Sequence, residues 1–207
     1  MEPEFEITLP SSVNPSLQLP DTNLLWYYRD VEHRLLWLTD EVGDNCYDIV
    51  EHIVHWNRED KDIPVEQRKP IKLIIASVGG AVEQDLTLIS FIEMSKTPVY
   101  GVAIGMVASA AIDIYLACHR KFATKNSYFI LHKGGCNNLN GSYNEISAFM
   151  ENYQKQVEKS TQYYIEKTKY SEEEIRKNIE SDWYIQLPEA LEKGVVDEAM
   201  TSLDLLM

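Results

Sequence analysis

The run Ile71-Lys72-Leu73-Ile74-Ile75-Ala76-Ser77-Val78-Gly79-Gly80 decides the fold: a buried-type strand that stops in a Gly-Gly turn. Just after it, Val82, Leu86, Ile89 and Ile92 recur at helical spacing, and Pro98 closes that helix. Val99-Tyr100-Gly101-Val102-Ala103-Ile104 then reads as a second buried strand. Strand, crossover helix and strand in so short a span predict a βαβ unit with parallel strands. Working outward, Gly105-Met106-Val107-Ala108-Ser109-Ala110-Ala111 reads as a small-residue turn. It leads into a helix carrying Ile112, Ile114, Tyr115 and Cys118, apolar on most sides. Tyr128-Phe129-Ile130-Leu131 is another short strand, followed by a Gly- and Asn-rich loop from Lys133 to Ser142.

Upstream, Arg34-Leu35-Leu36-Trp37-Leu38 makes a first strand. Asp44 stands where a helix N-cap is needed, with Ile49, Ile53 and Trp56 on one face beyond it, and residues 57–70 read as a charged loop. Downstream, a long helix is predicted over about 143–169, with Ile146, Phe149, Tyr153, Val157 and Tyr164 on one stripe. Ser171-Glu172-Glu173-Glu174 opens a short helix with a capping box, and Pro188 to Lys193 forms a last one ended by Gly194. The whole is α/β: one domain over 24–207 behind an arm, 1–23, whose Pro3, Pro10, Pro15 and Pro20 favour extended chain.

Composition narrows the function. With 33 acids against 19 bases, the net charge of −14 leaves no basic face for phosphates, which argues against nucleic acid and against an anionic membrane surface. Three widely spaced cysteines, Cys46, Cys118 and Cys136, read as reduced thiols of a cytoplasmic protein, not as a disulfide framework. No signal peptide and no membrane-spanning run is legible.

Four features carry chemistry. Gly79-Gly80 and Ser109 follow the ends of neighbouring parallel strands, so both lie on the sheet edge where open α/β folds bind ligands. A Gly-Gly turn lets backbone N–H groups approach a developing oxyanion, and Ala110 N–H, just after the serine, is the natural second donor. His132 ends the third apolar strand, and Asp182 sits in Glu180-Ser181-Asp182-Trp183-Tyr184. Each has an ordinary alternative: turn serine, strand-end histidine, solvated acid, turn glycines. Together they supply nucleophile, base, orienting acid and oxyanion donors, the parts a serine hydrolase needs. The chain order Ser, His, Asp and the absence of G-x-S-x-G exclude an α/β-hydrolase.

These residues also resemble a known family. The stretches Leu36-Trp37-Leu38-Thr39-Asp40-Glu41-Val42, Ile75-Ala76-Ser77-Val78-Gly79-Gly80 and Gly105-Met106-Val107-Ala108-Ser109 are similar to the proteolytic subunits of ATP-dependent Clp proteases, the ClpP family. So are Ile130-Leu131-His132, Asp182-Trp183-Tyr184, Pro188-Glu189-Ala190-Leu191 and Gly194-Val195-Val196-Asp197. The resemblance implies a ClpP/crotonase-like fold of repeated βαβ units with a protruding handle helix. It implies a Ser109, His132 and Asp182 triad, an oxyanion hole at Gly79, Gly80 and Ala110, and substrate binding beside Gly134 and Gly135. It further implies a homo-oligomer of heptameric rings, a tetradecamer, with unfolded proteins as substrates. An AAA+ unfoldase would consume the ATP, and no cofactor would be held by this chain. The chain departs from the family where Val78 stands in place of proline, Ala110 in place of methionine, and Lys133-Gly134 in place of Gln-Pro.

Two rival functions remain open. One is an assembly or regulatory subunit with little activity alone, prompted by the altered oxyanion turn. The other is a crotonase-fold acyl-CoA enzyme, which would need a basic cluster for the CoA phosphates that is not evident here. Glu51, His52 and His55 share one helix but lack a third ligand at metal spacing, so no metal site is expected. The Trp26-Tyr27-Tyr28 cluster with Trp37 reads as core or inter-subunit packing.

Overall fold

The computed structural model describes residues 24–135 and 139–207; the arm assigned to 1–23, and Cys136, lie outside the described residues. The strands are β1 (Leu35–Leu38), β2 (Ile71–Ser77), β3 (Val99–Ala108), β4 (Arg120–Ala123), β5 (Tyr128–Leu131), β6 (Trp183–Gln186) and β7 (Glu198–Ala199). The helices are α1 (Leu25–Glu32), α2 (Asn45–Glu59), α3 (Val82–Met94), α4 (Ala110–Ala117), α5 (Tyr143–Lys167), α6 (Glu172–Asn178) and α7 (Leu187–Glu192). The sheet runs β1-β2-β3-β4-β7, with β5 branching from β3 and β6 beyond it. Every pairing is parallel except β5–β6. The α/β crossover reading therefore holds.

The branch corrects one expectation. Gly105-Met106-Val107-Ala108 is not a turn but the second half of β3. The first half, Tyr100–Ala103, pairs with β4; after Gly105, at φ +66°, Met106–Ala108 pair instead with Tyr128–Ile130 of β5. A residue in left-handed conformation redirects the strand without ending it, and glycine takes that conformation at little steric cost. The sheet is thus split into two leaves hinged on β3.

Alternation within β2 shows why the sheet is buried on both sides. Leu73 and Ile75 join the main core with Ile53, Ile89, Ile92 and Tyr115 from the helices, while Ile74 faces the other way with Leu35, Val102 and Phe122. Leu205 and Leu206 pack on that second face, and Lys72 Nζ donates to the Leu206 carbonyl at 3.3 Å.

Other differences are local. Arg34 precedes β1 at φ +54°, fixed by a bidentate pair to Asp60 (2.6 and 2.8 Å) and by the Lys69 carbonyl at 3.0 Å. Thr97 Oγ1 also donates to Asp60, at 2.9 Å. Asp44 holds the N-cap position of α2 but makes no capping hydrogen bond; its carboxylate instead accepts from Gln84 at 3.3 Å. The charged segment 57–70 is partly helical, because α2 continues to Glu59 and two short 3₁₀ turns follow. Trp26, Tyr27 and Tyr28 sit on α1, no residue of which is buried, and Trp26 is 73% exposed, so they are not core of this chain. The long helix opens on a Ser142/Glu145 capping box, and of its predicted stripe only Tyr164 is buried; Phe149 is exposed, so the N-terminal part projects.

Candidate functional site

Three backbone events bring the site together. β2 ends in Ser77-Val78-Gly79-Gly80, β3 ends at Ser109, and the antiparallel β5–β6 pair sets Leu131 opposite Trp183, so His132 and Asp182 emerge side by side. His132 Nε2 lies 2.8 Å from Ser109 Oγ, and His132 Nδ1 lies 3.2 Å from Asp182 Oδ1. Ser109 occupies the N-cap of α4, yet its side chain makes no capping bond, which leaves Oγ to the histidine.

The serine's backbone is unusual, with φ +54° and ψ −134°. A non-glycine residue there is strained by about 1–3 kcal/mol and persists only if its surroundings hold it. Ser109 N–H donates to the Ile130 carbonyl at 3.0 Å, tying the turn to β5. Gly79 presses on it from the other side: a Cβ at Gly79 would stand 2.6 Å from Ser109 Cβ and 2.9 Å from Ala110 N. That turn is itself anchored, since Ser77 Oγ donates to the Asp40 carbonyl (2.6 Å) and accepts from Gly79 N–H (3.2 Å).

The donors sort themselves. Gly79 N–H is engaged by Ser77. The bridge to Val42 uses the Gly79 carbonyl and Ala81 N–H (2.8 and 2.9 Å) and passes over Gly80 N–H. Ala110 is the first residue of α4, so its N–H has no intrahelical acceptor. Gly80 and Ala110 are therefore the two of the three expected donors open to a ligand, at a helix end whose dipole favours negative charge. Gly134 and Gly135 follow His132 and are exposed; the neighbouring Lys133 carbonyl accepts from Tyr153 at 3.1 Å, and the Lys133 ammonium pairs with Glu180.

A cavity of about 690 Å³ opens beside Ser109 and His132 and reaches between α3, α4 and α5. Two of its residues went unnoticed in the sequence: Asp85 and Asp113, 3% and 8% exposed. Burial, and then the neighbouring Asp113 charge, pushes Asp85 up to about 9. Burial pushes Asp113 up to about 7, opposed by a hydrogen bond from Tyr164. The signal was available, since Asp113 is the one acidic residue in an eight-residue helix that is buried throughout. Elsewhere, His52 Nε2 contacts Tyr27 Oη at 2.8 Å and His55 meets Glu59 at 3.1 Å. Among the described residues no group of three or more His, Cys, Asp or Glu could hold a metal ion, and no helix is long and apolar enough to cross a membrane.

A crossover sheet split at one strand, with serine, histidine and carboxylate gathered at its branch, is the ClpP-like class of α/β fold; a solved mutant of ClpP1 from Listeria monocytogenes superposes with TM-score 0.74 at 25% identity, over 88% of this chain and all of that one. The Clp protease family model matches residues 23–202, and the chain belongs to that family. Among curated relatives, ATP-dependent Clp protease proteolytic subunit 2 of Treponema denticola is 30% identical over 132 residues, 63% of this chain and 66% of that protein, just under two thirds of its length. The subunit of the same name from Treponema pallidum is 25% identical over 174 residues, 83% of this chain and 84% of that one.

Proposed function

We propose that this chain is a serine endopeptidase, the proteolytic subunit of a Clp-type protease that cleaves unfolded proteins inside an oligomeric chamber. The observation that carries this reading is the 2.8 Å contact between Ser109 Oγ and His132 Nε2, with Asp182 behind the other ring nitrogen. His132 accepts the Ser109 proton as Oγ attacks the scissile carbonyl carbon, and Asp182 holds the tautomer with its proton on Nδ1 and stabilises the imidazolium. The oxyanion receives the N–H groups of Gly80 and Ala110. The tetrahedral intermediate then collapses: the C–N bond breaks, His132 returns the proton to the leaving amine, and Ser109 keeps the acyl group. Water, deprotonated by His132, releases the acyl group by the same steps in reverse roles.

Family membership supports the rest of the reading: a ring-forming homo-oligomer, fed by an AAA+ ATPase that uses the ATP, in the cytoplasm. A second reading, a regulatory subunit with little activity alone, draws on the openness of the pair behind the serine, since the Asp182 side chain is 59% exposed. Fluorophosphonate labelling beside a Ser109→Ala control, with particle mass from light scattering, separates the two. Wild-type-only labelling on a particle far larger than a dimer is expected. A large particle that never labels would favour the regulatory subunit.

A further inference from the structure

We propose that the buried Asp85–Asp113 pair forms the floor of the pocket for the substrate side chain just before the scissile bond, and that it selects lysine and arginine there. This rests on the endopeptidase reading above. Asp113 follows Ser109 by four residues on α4, so it lies one turn deeper, about 6 Å along the axis, on the same face as the nucleophile. Asp85 approaches from α3, and both residues line the cavity that holds Ser109 and His132.

Three further observations point to a cation. First, Asp85 Oδ1 and Asp113 Oδ1 are buried without any hydrogen-bond partner, an arrangement folded proteins rarely keep without use. Second, Val82 and Leu86 on α3 and Val157 on α5 line the same cavity among polar neighbours such as Asn152 and Gln156, and give apolar surface on which a lysine or arginine stem packs while its head reaches further. Third, the one cation among the lining residues, Lys133, stands beside His132 and is already paired with Glu180. Two carboxyls without a third ligand do not make a metal cage, and no larger acidic or histidine group exists there among the described residues. When the pocket is empty, burial keeps both carboxyls protonated more readily than in water, and the Asp113 charge adds to this at Asp85. An entering ammonium or guanidinium replaces that proton.

Binding is read first, on Ser109→Ala, with n-butylguanidinium against its neutral isostere butylurea. The cation should bind about tenfold tighter or more, and Asp113→Asn should abolish the difference. Equal binding overturns the proposal. Asp85→Asn provides a second variant of unchanged shape. Cleavage is then read on wild type with peptides differing only before the scissile bond: kcat/KM for lysine should exceed that for norleucine by about tenfold, and the ratio should collapse in Asp113→Asn. A preference for norleucine overturns the assignment while leaving the peptidase intact. If the cation binds but wild type never labels with fluorophosphonate, the pocket's ligand stands and its role beside a scissile bond falls.

Discussion

Gly79 fixes the backbone setting of Ser109, the candidate nucleophile. Its missing side chain lets the β2 turn close on Ser109, and its own φ of +93° is one an L side chain rarely adopts. Gly79→Ala should therefore lose fluorophosphonate labelling altogether and melt earlier, because the new methyl meets Ser109 Cβ, the Ala108 carbonyl and Ala110 N, two of them backbone that cannot swing away. Labelling of Gly79→Ala at the wild-type rate would show that the turn moves freely, against the close packing described. The candidate site residues were legible as candidates in the sequence because each sits at a strand end marked by small residues or by an apolar run that stops. What separates Gly79 from Gly80 as a donor was not legible, since it depends on the Ser77 hydroxyl and on which amides the Val42 bridge uses.

At the scale of elements, Arg34 is the pin between β1 and the end of α2. Its guanidinium is forked onto Asp60, a carboxylate 2% exposed that Thr97 also serves, and the hydrogen bonds from Arg34 hold the Asp60 carboxyl below its usual range. Breaking a buried pair of this kind leaves an uncompensated charge, so Arg34→Ala should cost about 3–5 kcal/mol in denaturant unfolding. A loss under about 1 kcal/mol, as at exposed pairs, would mean that water reaches Asp60. Elements differ in how far the chain announces them. β2 and α3 were plain, because an apolar run and a 3.6-residue period are strong local signals. The second half of β3 was missed because Gly105 imitates a turn, and its continuous partner, β5, comes later in the chain. α1 was missed for the opposite reason: it buries nothing, so no period stands out.

Over the whole molecule, the buried acids set the pH at which the fold is most stable, in two opposite directions. Asp60 titrates low in the fold, so its contribution is present above the ordinary carboxylate range and is lost as pH falls through its folded value. Asp85 titrates high: between about 4, where it would ionise unfolded, and about 9, the folded chain holds a proton the unfolded chain has released. Stability from this group therefore declines as pH rises across that window, and the Asp113, Tyr163 and Tyr164 groups that interact with it add negative charge, not positive, as they ionise. The melting temperature of Asp85→Asn should exceed that of wild type increasingly from pH 5 to pH 9. Parallel curves for the two proteins would mean that Asp85 is ionised in the fold throughout.

The antiparallel pairing of β5 with β6 has a consequence during synthesis. The histidine and its carboxylate are separated by some fifty residues of chain, including all of α5 and α6, and meet only once the segment through Gln186 is available to zip against Tyr128. A growing polypeptide on the ribosome thus carries its serine and its histidine long before it carries a competent site. The order of residues along the chain alone delays the meeting of His132 and Asp182 until almost the entire domain has emerged.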